Sequence, residues 1–226
     1  MSDEASLKST TERLERVLAD ARQALGDEHP QTLTAMLDLA EALWAQGRLI
    51  AARKLEEQVV AGRRSLLGED HADTLKAIGK LAVTLAAQGD LARARRLQEE
   101  VVAGLRAQGM RAQGMRVHGV ETGRDTLRAI NNLAGTLAAQ GDLAGARELL
   151  QSVISAMVRQ HGEQHPDTLA AMGNLAAVLW QEGERAEAYE LQRQVVELRR
   201  RTGDGTDQTA LLAAAVLDMM ERDTGF

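Results

Sequence analysis

Cysteine is absent from the 226 residues. That removes disulfides, thiol nucleophiles and zinc–thiolate sites, and it leaves the redox compartment unread. Aromatic residues make up 2% of the chain and there are two prolines. With β-branched clusters also scarce, this composition argues against a β protein. No apolar run is long enough to span a bilayer. The stretch MSDEASLKSTTERLE is polar and lacks the apolar core of a signal peptide. The expected location is therefore the cytoplasm. A surplus of positive charge is missing too. A net charge of −6 and a pI near 5.5 argue against nucleic acid as the main ligand, because phosphate binding needs a basic surface.

What the chain has in quantity is alanine, leucine, arginine and glutamate, all helix formers, and an internal repeat. Asp-Thr-Leu occurs at 73–75, 125–127 and 167–169, with Gln-Thr-Leu at 31–33. The steps between them are 42, 52 and 42 residues, and a fixed period of this size marks a solenoid. Each unit predicts two helices. The first carries Leu33, Met36, Leu39, Ala40 and Leu43 at helical spacing, and the later units carry equivalent ladders from Leu75, Leu127 and Leu169. The second carries Ala52, Leu55, Val59 and Val60, again repeated from Ala94, Ala146 and Ala188. Gly47, Gly89, Gly141 and Gly183 separate the two helices. Asp90 and Asp142 are natural N-caps for the helix that follows. Pro30 and Pro166 fall where proline is best tolerated, in the first turn of a helix.

These marks divide the chain, read as one repeat domain over 1–226, into seven parts. A half-repeat cap covers 5–26, and four repeats cover 30–68, 72–106, 124–162 and 166–202. An insertion occupies 107–119 and a C-terminal capping helix 207–222. Gly203-Asp204-Gly205 is the turn before that helix, and 221–226 are expected to fray. In the capping helix Leu211, Leu212, Ala215, Val216 and Met219 keep helical register and are expected to cover the last repeat. The insertion contains AQGMR twice in tandem, at 107–111 and 112–116. Removing those ten residues restores the 42-residue step. One reading is a helix overhang followed by a loop. The other is a hinge for domain swapping.

The pattern G-x-x-H-P-x-T-L…N-L-A…Q-G…A…L, at 42 residues, resembles tetratricopeptide repeats of the kinesin light chain type. The resemblance runs from about residue 14 to 202. It departs in two places: Gly123 stands where His29, His71 and His165 stand in other units, and Leu43, Leu85, Leu137 and Leu179 replace an aromatic. It implies an all-α, right-handed α-solenoid of antiparallel helix pairs with about ten helices. The usual period is about 34 residues, so both helices of each pair should be about a turn longer here.

No catalytic constellation is visible, and neither a metal site nor a cofactor is expected. His161, Glu163 and His165 have a metal-like spacing, but His165 belongs to the repeat and reads as a cap or turn residue. His118 is isolated in the insertion. Gly79-Lys80 lacks the upstream glycine of a phosphate-binding loop. The informative surface is the exposed stripe of the first helices, which lines the concave face in the related repeats. It holds Thr34, Asp38 and Glu41, then Lys76, Lys80 and Val83, then Arg128, Asn132 and Gly135, then Ala170, Asn174 and Ala177. Asn132 and Asn174 match the asparagine that holds a peptide backbone in the related repeats, and Asn131 lies beside them. Trp44 and Trp180 close two first helices and serve either repeat packing or the groove. Gly79, Gly135 and Gly173 weaken helix interiors and would suit a ligand that approaches the backbone. The expected function is a non-catalytic scaffold for a protein or peptide. Lys76, Lys80 and Arg128 point to an acidic segment with an apolar anchor. The alternative is a self-associating module, a homodimer or an oligomer swapped through the insertion.

Overall fold

The computed structural model describes residues 2–112, 123–202 and 208–224. Ten α-helices and no strands occur among them. The first helices of the pairs are α2 (Pro30–Ala45), α4 (Ala72–Ala87), α6 (Arg124–Ala139) and α8 (Pro166–Glu182). The second helices are α3 (Leu49–Leu67), α5 (Leu91–Ala112), α7 (Leu143–His161) and α9 (Arg185–Thr202). A lone second-type helix, α1 (Ser2–Leu25), and a lone first-type helix, α10 (Gln208–Thr224), complete the set. Every helix packs on its neighbours in sequence within two compact units, Met1–Val120 and Glu121–Phe226. Each unit is a stack of antiparallel helix pairs in the α-solenoid pattern. The division falls beside the insertion. A stack held by neighbour contacts alone divides where its step is interrupted.

The turn inside each pair is the same device four times. In the first pair Gly47 takes φ +73°, a left-handed conformation that costs glycine nothing. Its N–H donates to the Trp44 carbonyl at 2.8 Å, and the Arg48 N–H donates to Leu43 at 2.9 Å. These two bonds satisfy carbonyls that the ending helix would leave orphaned. In the second and third pairs, the residue that closes one helix also starts the next. Asp90 and Asp142 accept the N–H of Arg93 and Gly145 at 3.2 and 3.1 Å. Between pairs, histidine is the cap. Nδ1 of His29, His71 and His165 accepts the N–H two residues on, at 3.2, 3.1 and 3.1 Å. Gly123 supplies no such bond to α6.

The apolar ladders of the first helices are buried in all four pairs. Beside each ladder lies the motif threonine, also buried. Thr32 and Thr168 donate to the carbonyls of Ala21 and Gly162, at the end of the preceding second helix. The second helices bury a different arc from the one their leucines indicate. In α3 the buried set is Ala52, Glu56, Val59, Val60 and Arg63. That is a spacing of four, three, one and three, a continuous stripe along a helix. Leu55, Leu97, Leu149 and Leu191 sit at its edge and are half-buried. Their neighbours Glu56, Gln98, Leu150 and Gln192 take the centre. The reason is that a second helix is wedged between two first helices, so its buried arc faces both.

Two terminal readings change. The α10 helix covers the last repeat with Ala210, Ala213, Leu217 and Met220, not with Leu211, Leu212, Ala215, Val216 and Met219. The small alanines let its backbone come close to α9, which turns the bulky side outward. It also continues to Thr224 where fraying was expected. At the insertion, α5 runs on through Ala112, so residues 107–112 are a helix overhang. Residues 113–116, His118 and the Gly203-Asp204-Gly205 turn lie outside the described residues.

Glu56 is an ionisable group at the centre of a packed stripe. It is 3% exposed. Thr84 donates to its Oε1 at 2.9 Å, while Oε2 has no hydrogen-bond partner. Burial pushes its pKa above the ordinary 4.5, the Thr84 bond pulls it back in part, and Glu57 adds a smaller upward push. A raised carboxylate pKa means that the folded chain holds this proton more tightly than the unfolded chain. Folding therefore loses stability as pH rises from 4.5 through the folded value. Glu56→Gln should raise the melting temperature at pH 7, by an amount of order 1 kcal/mol, and the gain should shrink below pH 4.5. Melting curves of both proteins across pH check this, and a gain that does not change with pH would contradict it. Ala94, fully buried on α5, gives a second expectation. Ala94→Leu should cost about 1–3 kcal/mol by overpacking the α4–α5 contact, read as a lower midpoint in thermal or urea unfolding.

Candidate peptide-binding face

The exposed stripe of the first helices is framed by their buried ladders. In the first unit it comprises Thr34, Asp38 and Glu41 on α2, and Lys76, Gly79, Lys80 and Val83 on α4. Lys76 is exposed. Lys80 is half-buried and forms an ion pair with Glu41 of the neighbouring first helix. The positive charge of Lys80 therefore has a counter-ion. Trp44, at the end of α2, is exposed, so packing against the next repeat does not use up its surface.

In the second unit the stripe comprises Arg128, Asn131, Asn132 and Gly135 on α6, and Ala170, Gly173, Asn174 and Ala177 on α8. Asn174 Nδ2 donates to Asn131 Oδ1 at 3.1 Å. This bond fixes both amides and leaves an acceptor on Asn174 and donors on Asn131. Asn132, one residue on, is exposed. Arg128 Nε lies 3.9 Å from Asp167 Oδ1, and Arg124 Nε lies 3.0 Å from Oδ2 of the same carboxylate. Trp180 carries the Arg185 guanidinium 3.9 Å from its ring centroid, a cation–π contact that occupies one face of the indole.

These pairs change the electrostatics expected of the stripe. Lys80 and Arg128 are not surplus cations, since carboxylates on the neighbouring first helices face them. A signal for this was present in the numbering. Asn131–Asn174 and Arg124–Asp167 are 43 residues apart. Glu41–Lys80 and Arg128–Asp167 are each 39 apart. The two offsets differ by four residues, so one side chain meets neighbours a helical turn apart on the adjoining helix. The repeat period plus one, or minus three, thus predicts who faces whom along this stripe.

The stripe glycines have open space around them. A Cβ at Gly79 or Gly135 would meet no atom within 4 Å, and one at Gly173 would meet only Gln192 Oε1 at 4.0 Å. Their contrast is Gly62 on α3, where a Cβ would come within 2.8 Å of Leu33. A Cβ at 62 would push on the end of the Leu33 side chain, whereas one at 79 or 135 would enter open space. Two members of the metal-like triplet have other partners. His165 caps α8 through Nδ1, and Glu163 accepts from Gln194 at 2.6 Å. Among the described residues no helix is long and apolar enough to cross a membrane.

Models of the tetratricopeptide repeat match residues 32–73, 74–107 and 125–201. No curated protein sequence matches the chain. Among solved structures it is similar to a kinesin light chain-type protein of Podosopora anserina with nearly identical TPR-like repeats. The identity is 31% over 88% of this chain and 90% of that one, with a TM-score of 0.70. In fold it is also similar to BtubC (BKLC) of P. vanneervenii, at 16% identity over 97% of this chain and 84% of the other, TM-score 0.72. Bacillus thuringiensis PlcR, solved in complex with the peptide PapR7 and DNA, matches at 14% identity over 96% of this chain and 71% of the other, TM-score 0.60. Tetratricopeptide repeats as a class act as scaffolds for contacts between proteins. With ten helices stacked pairwise, a 42-residue motif and these matches, the chain belongs to the tetratricopeptide-repeat family, in its kinesin light chain-like form.

Proposed function

We propose that the exposed stripe of the first helices binds an extended peptide segment of a partner protein, without catalysis. The observation that carries this reading is the amide pair of Asn131 and Asn174, 3.1 Å apart. One outward acceptor and one outward donor match the N–H and C=O of a single peptide unit. Because each amide is already held by the other, little side-chain entropy is lost on binding. Gly135 beside the pair lets a ligand backbone come close. PlcR, similar in fold, is solved with the peptide PapR7, a ligand of the class proposed here.

Acidic residues in a ligand fit Lys76 and Lys80 in the first unit or Arg128 in the second, though they must compete with Glu41 and with Asp167 respectively. Charge is then a modest contributor, and backbone recognition in the second unit is the larger one. Exposed ion pairs are each worth about 0–1 kcal/mol, so opening them to a ligand costs little. Trp44 in the first unit offers an exposed apolar surface for the anchor, and the half-buried Trp180 offers a smaller one in the second.

Peptides selected from a display library on the 226-residue chain test the reading. Asn131→Ala with Asn174→Ala should weaken them about tenfold or more, the worth of one or two hydrogen bonds, with unchanged melting. Equal affinity for parent and variant would remove the site. Gly135→Ala should stabilise the fold by up to about 1 kcal/mol and yet weaken the same peptides, a split that calorimetry and binding read separately. Peptides rich in acidic residues should lose affinity as salt rises, and Arg128→Glu should abolish that salt dependence. Peptide binding that is indifferent to salt would retain the groove but discard the acidic preference.

A further inference from the structure

The exposed stripe of the first helices continues on α10. Gln208 opens α10 42 residues after Pro166 opens α8, the step that also separates Pro30 from Ala72. The phase is kept inside the helix. Ala35, Ala77 and Ala171, buried on α2, α4 and α8, recur as the buried Ala213. Gln192 of α9 donates to the Ala213 carbonyl at 2.7 Å, which turns that side of α10 toward the preceding second helix. At this step Ala170, Gly173, Asn174 and Ala177 of the α8 stripe fall on Leu212, Ala215, Val216 and Met219. Leu212, Val216 and Met219 are 61%, 37% and 51% exposed. Leu212 is exposed as Thr34, Lys76, Arg128 and Ala170 are at the same place in the four pairs.

What changes on α10 is the chemistry of the stripe. Val216 stands where Asp38, Lys80, Asn132 and Asn174 stand on the other first helices, and Met219 where Glu41, Val83, Gly135 and Ala177 stand. The offsets between neighbouring first helices say what lies opposite. They are 43 residues for Asn131–Asn174 and 39 for Glu41–Lys80. Applied to α8 and α10, they set Gly173 against Leu212 and Val216, Ala177 against Val216, and Trp180 against Met219. The α8 members in the middle are small. A Cβ at Gly173 would meet only Gln192 Oε1 at 4.0 Å, and Ala177 is exposed. A trough results, floored by Gly173 and Ala177 and walled by Leu212, Val216 and Met219. Asp218 and Arg222 border it with opposite charges, so it selects neither sign.

We propose that this trough receives an aliphatic side chain of the same peptide that Asn131 and Asn174 hold, an inference that rests on the peptide-binding reading above. Asn174 belongs to both sites: it bonds to Asn131 on one side, and Gly173 and Ala177 adjoin it on the other. The walls are aliphatic and the floor is narrow, which fits a leucine-sized anchor. Packed helices lie about 8–10 Å apart, and an extended chain rises about 3.3 Å per residue. The anchor therefore falls about three residues from the peptide unit that the amides hold. The ligand class is an extended segment that needs no charge at this end.

Peptides selected on the 226-residue chain should share one leucine, isoleucine or methionine. Leu212→Gln with Met219→Gln removes the apolar wall and keeps good helix formers. Both positions are exposed, so circular dichroism and melting should match the parent. The double variant should weaken these peptides roughly ten- to hundredfold, the worth of one buried aliphatic side chain. It should not weaken further the peptides whose anchor is changed to alanine. Leu211→Gln, exposed but at the ladder position of Leu169 and off the stripe, should change nothing. Full affinity in the α10 double variant, with loss in Asn131→Ala with Asn174→Ala, overturns the trough and leaves the peptide reading standing. Full affinity in both double variants overturns both. An equal loss from Leu211→Gln overturns the trough too, because any apolar surface would then serve. So does a parent that sediments as a dimer which the α10 double variant abolishes, since a second copy would then cover the stripe.

Discussion

Eight alanines set the distance between the helices, and everything else in the chain is arranged around that distance. Ala40, Ala82, Ala134 and Ala176 on the first helices, and Ala52, Ala94, Ala146 and Ala188 on the second, have no exposed surface at all. A methyl group at the crossing lets two helices touch through backbone and Cβ. The leucines and valines on either side then interlock at native density. Because each helix packs mainly on the helices next to it in the stack, the pattern has to recur at every step. The recurring offsets of 35 residues between successive helices and of 36 between consecutive second helices follow from the same spacing. Arg53 reaches Gln88 and Arg147 reaches Glu182 across 35 residues, and Arg64 reaches Glu100 across 36.

Polar groups are placed to end helices or to join them, and Glu56 joins α3 to α4 through Thr84 while its second oxygen stays unpartnered. The histidine caps, Thr32 and Thr168, and the aspartates after the turn glycines bond to backbone groups at helix ends. At the centre of the second-helix stripe, Gln192 shows what an amide does there: its Nε2 donates to the Ala213 carbonyl at 2.7 Å. A carboxylate at the corresponding Glu56 has nothing to donate when ionised. Its burial makes the α3–α4 contact sensitive to pH, which the amide avoids.

The surface left over by this packing has two characters. Along the first helices it is polar, internally paired and open at its glycines, which suits recognition of a backbone. At α10 it is apolar, with Leu211, Leu212 and Met219 exposed. Both follow from building a protein from half-buried helices: whatever does not face a neighbour within the chain is available to another molecule. The stripe offers hydrogen bonds and weakly committed charges. The α10 face offers apolar area.

The sequence alone determined the helices, their pairing and most of the core. Leucine, alanine and glycine recur at a fixed step, and a residue buried in one unit is buried in the next. All twenty ladder positions of the first helices are buried as the periodicity implies. The stripe that carries Asn131, Asn132 and Asn174 was legible for the same reason, as the complement of the ladder. Three things were settled only by tertiary structure. The second helices bury the residue after their leucine, because they are clasped from two sides and periodicity on one helix cannot see the second neighbour. The cations Lys80 and Arg128 are met by Glu41 and Asp167, because the partner lies on another helix 39 residues away. The apolar side of α10 faces outward, because a helix that is apolar around most of its circumference leaves the choice of face to packing. There, small alanines approach α9 more closely than leucines can.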